Sequence, residues 1–174
     1  YVLEVSSFQL DDIRQFRPDI AVITNITPDH LDRYHYNFNE YIQSKFRISM
    51  NQEAGDYLIL NKDDQATQTY LNEHSLNPKT VFFTMNEQLT GDGAYLNQHE
   101  LVIRVNGEPF KISINELSLK GRHNQYNSMA AGISARVAEI RDTSLHECLK
   151  TFKALEHRME TVATIRGVEF INDS

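Results

Sequence analysis

The stretch Thr24-Asn-Ile-Thr-Pro-Asp-His-Leu-Asp-Arg-Tyr34 decides how this chain is read. The run ahead of it, Asp19-Ile-Ala-Val-Ile-Thr24, is apolar, of strand length and rich in β-branched residues. Such a run predicts a parallel strand buried on both faces. Pro28 forces a turn at its end, and Asp29, His30, Asp32 and Arg33 then crowd into five positions. Strand ends that carry carboxylates and an imidazole are where open α/β sheets place their chemistry.

Upstream, Tyr1–Val5 is expected to form a short apolar strand, interrupted by Glu4 and followed by Ser6-Ser7. Glu4 reads either as a solvated carboxylate at a strand end or as an acid that holds magnesium. Phe8–Phe16 suits a short helix or turn, which Arg17-Pro18-Asp19 breaks. Downstream, Phe38–Met50 is predicted to be a helix, capped by Asn37 or Asn39, with Glu40 complementing its N-terminal dipole. Phe38, Tyr41, Ile42 and Phe46 form its apolar stripe, and Lys45 falls near the centre of that stripe. A lysine there must snorkel, find a carboxylate or lose its charge. The last case leaves a neutral amine that is nucleophilic or open to chemical modification.

The rest of the chain alternates. Asp56–Asn61 is a strand, Asp63-Asp64 caps a polar helix to about Glu73, and Lys79–Thr84 is another strand. This order predicts an α/β fold, a mostly parallel sheet with flanking crossover helices. From Asn86 the pattern changes to short β-rich runs at Ala94–Leu96, Leu101–Val105 and Glu108–Ile114. Asn106-Gly107 between the last two is a hairpin signal. These runs predict a small antiparallel β-subsheet on the side of the domain, with Pro109 placing its strand at an edge.

Leu119–Asn127 leads into a helix to about Ile140, whose buried stripe is Tyr126, Met129, Ala130, Ile133, Val137 and Ile140. Asn124 and Asn127 share one face of its first turn. Gly121 just before that turn suits an anion or nucleotide, while plain N-capping by Asn124 accounts for the same residues. Ser144-Leu-His-Glu147 reads as a capping box for a helix with Leu145, Leu149, Phe152 and Leu155 on its core face. His157 and Arg158 either hold phosphate or complement that helix's C-terminus. Thr161–Ile165 and Val168–Asn172 read as two β-segments joined tightly through Arg166-Gly167, the second delivering Asp173 to a strand end.

At 174 residues the chain suits one domain, burying roughly 70% of the surface its unfolded form exposes. A net charge of −7 argues against a general nucleic-acid surface. Cys148 stands alone, which excludes a disulfide framework and a cysteine zinc site within the chain. No apolar run approaches the roughly 20 residues of a membrane span, so no membrane insertion is expected and a cytoplasmic home is the simplest.

With these residues placed, the chain resembles the central ATP-binding domain of the Mur ligases. The blocks that carry the resemblance are Leu3-Glu-Val-Ser-Ser-Phe-Gln-Leu10, Thr24–Tyr34, Lys45-Phe-Arg-Ile48, Gly121-Arg-His-Asn-Gln-Tyr-Asn127, His157-Arg-Met-Glu160 and Phe170-Ile-Asn-Asp-Ser174. They occur in the family's order from one end of the chain to the other. Ser7-Phe-Gln-Leu10 with the last two blocks tips the resemblance toward the branch that adds D-glutamate to UDP-N-acetylmuramoyl-L-alanine. The sibling that adds a diamino acid, and the folate polyglutamate ligases, resemble the first, second and fourth blocks.

The resemblance implies a P-loop-like α/β domain and a role for each matching residue. Glu4 and His30 would be magnesium ligands. Lys45 would be carbamylated and hold the second of two Mg²⁺ ions. Asn124 and Asn127 would face the adenine of ATP, Arg158 its phosphates and Asp173 its ribose. Ser6 and Gln9 would touch the UDP-muramoyl substrate. The implied reaction passes through an acyl phosphate. No G-x-x-x-x-G-K-[ST] loop, and no shorter glycine-lysine-serine/threonine version, occurs in the 174 residues. The expectation is therefore most of a single central domain, truncated at both ends and inactive alone. Its phosphate loop, UDP-binding domain and amino-acid-binding domain would lie outside it, in a monomeric parent. An isolated nucleotide-binding module and a folate polyglutamate ligase are the competing readings.

Overall fold

The computed structural model describes residues 1–153 and 160–172. Its first helix, α1 (Ser7–Asp11), is fixed by a capping box. The Ser6 side chain accepts from the Gln9 N–H, and the Gln9 side chain accepts from the Ser6 N–H. After β1 (Ile20–Ile23) the chain makes a 3-10 turn over Leu31–Tyr34 and enters α2 (Phe38–Phe46), capped by Asn37. A second 3-10 turn, Arg47–Ser49, ends that helix. Then come β2 (Tyr57–Asn61), α3 (Gln65–Glu73) and β3 (Lys79–Thr84). Asp64 caps α3 by accepting from the Thr67 N–H at 2.8 Å. The capping role expected of Asp63-Asp64 thus falls to Asp64.

β4 (Gly93–Asn97), β5 (Glu100–Arg104) and β6 (Phe110–Ser113) follow. The β5–β6 register centres on Asn106-Gly107, as the hairpin signal required, with Asn106 at φ 50°. These strands are not a separate subsheet. The six strands form one sheet in the order β1-β2-β3-β4-β5-β6, parallel through β4 and antiparallel beyond it. The two halves join where Gly93 pairs with Phe82; a Cβ at Gly93 would strike the Phe82 carbonyl oxygen. Strand β6 is the outermost, consistent with Pro109 immediately before it.

Two helices complete the layer on the other face, α4 (Arg122–Val137) and α5 (Asp142–Thr151). The sheet is therefore sandwiched. On one side Tyr41, Ile42 and Phe46 of α2 pack with Ala66 of α3 against Ala21, Ile23, Leu58 and Leu60. On the other, Met129, Ala130 and Ile133 of α4 and Leu145 of α5 pack against Ile59, Val81, Phe83, Leu101 and Ile103. Alternate residues of β2 serve the two cores, and Leu58, Ile59 and Leu60 are all 0% exposed. A hairpin, β7 (Glu160–Ile165) and β8 (Val168–Asn172), turns through Arg166 and Gly167, both at positive φ.

Several expectations are corrected. Tyr1–Val5 is not a strand: it pairs with no neighbour among the described residues, and Tyr1, Val2 and Leu3 are exposed. Among the described residues β1 is the opposite edge of the sheet from β6, so Ile20 and Val22 are half-buried and only Ala21 and Ile23 are sealed. α5 starts at Asp142, capped without side-chain help after Arg141, so Ser144 lies inside the first turn instead of capping it. The helix begins early because Asp142 occupies its first turn and pairs with Arg136 of α4. Ile140 falls beyond the end of α4 and is exposed, as is Phe152. Leu155 lies outside the described residues. No helix among those described is long and apolar enough to cross a membrane.

Candidate active site

Three short elements meet in front of β1 and leave a cavity of about 490 Å³ between them. The segment into α1 contributes Glu4, Ser6, Ser7, Phe8 and Gln9; the loop after β1 contributes Asp29 and His30; α2 contributes Tyr41 and Lys45. All five residues expected at a magnesium and substrate site near the first three blocks (Glu4, Ser6, Gln9, His30 and Lys45) line this one cavity. They come from positions up to 41 residues apart in sequence.

Local chemistry explains each placement. His30 takes a left-handed conformation, φ 49°, at the entry to the 3-10 turn, and Asp29 steadies it by accepting the His30 N–H at 2.8 Å. The imidazole Nε2 also stands 3.4 Å from the other Asp29 oxygen. Phe8 meets the His30 ring edge-on at 5.1 Å, and the Arg33 guanidinium covers Phe8 at 4.4 Å. Lys45 is half-buried, not enclosed in the core, and its ammonium lies 5.5 Å from the Tyr41 ring centroid. Burial holds the Tyr41 phenol above its ordinary pKa, with the Asp29 charge and Tyr34 adding to the effect.

The polar residue that α2 does bury is Ser44. It donates to Asp11 at 2.6 Å, and the buried Tyr34 hydroxyl donates to the other Asp11 oxygen at 3.0 Å. Arg47 donates to the carbonyls of Leu10 and Ile13 at 2.7 and 3.2 Å, closing the C-terminal end of α1. Hydrophobic periodicity carries no trace of these contacts. Asp29 of the polar stretch and Tyr41 of the apolar stripe also line the cavity, which their sequence pattern does not signal.

Magnesium takes oxygen ligands and keeps several waters, so one or two carboxylates suffice beside a substrate's phosphates. Glu4 and Asp29 supply carboxylate oxygens to the cavity and His30 an imidazole. Among the described residues no three histidine, cysteine or acidic side chains stand close enough to cage a metal by themselves. The donor set fits an ion shared with a phosphate-bearing ligand and does not fit a structural metal site.

The other expected ligands lie elsewhere. Asn124 and Asn127 sit in the first turns of α4 and do not line this cavity. Asn124 does not cap the helix; Gly121 does, at φ 93°, and Asn124 donates back to the Lys120 carbonyl at 2.8 Å. Beside them Asp63 accepts from the Thr84 hydroxyl (2.6 Å), the Met85 N–H (2.7 Å) and the Tyr126 hydroxyl (2.8 Å), tying α4 to the ends of β2 and β3. Arg158 and Asp173 lie outside the described residues.

The sheet, its flanking helices and the cavity in front of β1 agree with comparison to known proteins. The family model for the Mur ligase middle domain matches residues 1–135, and the chain belongs to that family. A UDP-N-acetylmuramoylalanine--D-glutamate ligase of Christiangramia forsetii is 42% identical over 174 residues, covering 100% of this chain and 39% of the relative. One from Bacteroides fragilis is 46% identical over 176 residues, again covering 100% of this chain and 39% of the relative. The chain thus spans well under half the length of these relatives.

Solved structures share the fold at lower identity. MurF from Acinetobacter baumannii superposes with a TM-score of 0.67 at 15% identity, covering 91% of this chain and 34% of that one. UDP-N-acetylmuramate-alanine ligase from Thermotoga maritima gives 0.65 at 21%, covering 96% and 36%. A MurF ligase from the same organism, solved in complex with ADP, gives 0.61 at 18%, covering 91% and 36%.

Proposed function

We propose that the protein carrying this domain is a cytoplasmic ATP-dependent ligase that joins D-glutamate to UDP-N-acetylmuramoyl-L-alanine during peptidoglycan precursor synthesis. The observation that carries the reading is the convergence of Glu4, Ser6, Gln9, His30 and Lys45 on one cavity. The choice of amino acid rests on relatives that bear that ligase's name and match along the whole chain.

In this reading Ser6 and Gln9 orient the UDP-muramoyl substrate so that its carboxylate meets the γ-phosphate of ATP. Transfer of the phosphoryl group gives an acyl phosphate and ADP. The amine of D-glutamate then attacks the acyl carbon and, through a tetrahedral intermediate, releases phosphate and leaves an amide. Glu4 and His30 would hold magnesium, which when bound neutralises charge on the phosphates in transfer. Lys45, half-buried in the cavity, would serve as a carbamate: its neutral amine adds carbon dioxide and becomes an anion suited to a second magnesium. As an ammonium it would repel that ion. Asn124 and Asn127 would face adenine, with Arg158 at the phosphates and Asp173 at the ribose. The 174 residues would supply most of the central domain of a monomeric enzyme and would not ligate alone.

The test is phosphate release by the full-length protein with ATP, magnesium and UDP-N-acetylmuramoyl-L-alanine. Release that requires D-glutamate, and not a diamino acid or folate, is expected. Release driven by a folate and glutamate would sink the assignment.

A further inference from the structure

We propose that Asp11 is the positioning residue of the cavity, the one carboxylate that sets the three cavity-lining elements relative to each other. The inference rests on the functional reading above for its consequence on rate, but on geometry alone for its substance. Asp11 is the last residue of α1, the helix whose N-terminal side presents Glu4, Ser6 and Gln9. Its Oδ2 accepts from Tyr34, the last residue of the 3-10 turn that His30 opens. Its Oδ1 accepts from Ser44, the residue before Lys45 on α2. From the end of α1, one side chain therefore bonds the turn that His30 opens and the residue before Lys45, while lining no part of the cavity itself.

The proton count closes only around an acceptor. Tyr34 and Ser44 each bring one hydroxyl proton to a buried place, at 6% and 3% residue exposure, and the two oxygens stand 3.2 Å apart. Each hydroxyl needs an acceptor. An ionised Asp11 offers one oxygen to each. Ser44 has a second acceptor within reach, the Ser7 carbonyl at 3.1 Å; among the described residues Tyr34 has only Asp11 and Ser44. The elements so joined are short: α1 has 5 residues, the 3-10 turn 4 and α2 9. None of them is stable alone, so their relative placement depends on such cross-links.

The arrangement separates position from charge. In Asp11→Asn the amide oxygen still accepts from Tyr34, its NH₂ faces Ser44, and the Ser44 hydroxyl turns to Ser7. The geometry survives without the charge. In Asp11→Ala the hydroxyls keep only each other and the Ser7 carbonyl, so the end of α1 loses its direct bonds to the 3-10 turn and to α2 and these elements can shift.

The full-length protein is compared as wild type, Asp11→Ala, Asp11→Asn and Tyr34→Phe. Two readouts are taken: ligation kcat with its magnesium dependence, and reactivity by mass spectrometry. The second measures cyanate addition at Lys45 and diethyl pyrocarbonate addition at His30, with Lys79 and His99 as controls. Misplacement of about 1 Å costs about 10²-fold, so Asp11→Ala is expected to lower kcat about 10- to 100-fold and raise the magnesium needed for half-maximal rate. It should also change the Lys45 and His30 rates several-fold, leaving both controls alone. Asp11→Asn should recover most of each effect, and Tyr34→Phe should show a smaller shift in the same direction. If Asp11→Ala does not fold, the Tyr34→Phe and Asp11→Asn comparison decides. Unchanged kcat and cavity reactivity, even with a lower melting temperature, would overturn the proposal. So would Asp11→Asn as impaired as alanine, since charge would then be what matters. A wild type without ligation but with the reactivity pattern above would end the functional reading and leave the positioning role standing.

Discussion

The two faces of the sheet are built by different means. Under α4 the fit is apolar and close: Met129 and Ile133 are fully buried against Phe83 and Ile103, and a Cβ on Gly132 would run into the Ile103 side chain. In front of β1, beyond the core that Tyr41, Ile42 and Phe46 share with β1 and β2, order comes from hydrogen bonds to Asp11, Asp29 and the carbonyls that Arg47 caps. The first arrangement maximises burial, which is non-directional. The second sacrifices burial to leave a cavity, and directional bonds then fix what packing does not. Stability and site geometry should accordingly be separable by mutation.

The sharpest break is Phe83→Ala, which empties a fully buried site between β3 and α4. It is expected to cost about 3–5 kcal/mol, read as a lower urea midpoint. Cavity reactivity at Lys45 should be unchanged in the folded fraction. An altered Lys45 rate would mean that the two faces are coupled.

A smaller loss is expected from Asp56→Asn. Arg17 donates to both Asp56 oxygens at 2.8 and 3.2 Å, and the Glu53 N–H adds a third bond at 2.7 Å. The Arg17 guanidinium first, and then that N–H, hold the Asp56 carboxyl below the usual range. A lowered folded pKa gives stability that is fully present above the unfolded value, about 3.9. That stability is lost as pH falls through the folded one. The difference between wild type and Asp56→Asn in denaturant midpoint should therefore be constant near neutrality and shrink below about pH 4. A difference that persists in stronger acid would assign the effect to packing.

The smallest effect concerns α4. Burial foremost, then its bonds, perturb the Tyr126 phenol, whose proton goes to Asp63. Tyr126→Phe removes one of three bonds to that carboxylate and should cost about 1 kcal/mol in a thermal or urea titration. A loss as large as that of Phe83→Ala would place a polar hub at the centre of the apolar face and erase the contrast.

The same contrast decides what could be read in the sequence. Strands β1, β2 and β3, helix α4 and the Asn106-Gly107 hairpin announce themselves through periodicity and turn chemistry, because their burial follows a regular repeat. Tyr1–Val5 has the composition of a strand but no partner to pair with, and composition does not record partners. The join of β3 to β4 depends on a close backbone approach at Gly93, which a lone glycine does not reveal. At the site, Glu4 and Lys45 stand out as charges among apolar residues, and His30 through the polar density of its strand-end loop. Helical periodicity gives the place of Lys45 on α2, but its half-exposure depends on the cavity that α1 helps to form. Asp11 and Ser44 gave no signal, since a short polar side chain at a helix end or face looks the same whether solvated or bonded across 33 residues.

The central claim is the proposal that the cavity is the reacting half of a ligase site, with Lys45 among its lining residues. Lys45→Ala in the full-length protein tests it, with ATP, magnesium, UDP-N-acetylmuramoyl-L-alanine and D-glutamate supplied and phosphate release measured. The account predicts loss of ligation, with partial recovery when a short carboxylic acid restores the missing anion. Undiminished ligation by Lys45→Ala would contradict it.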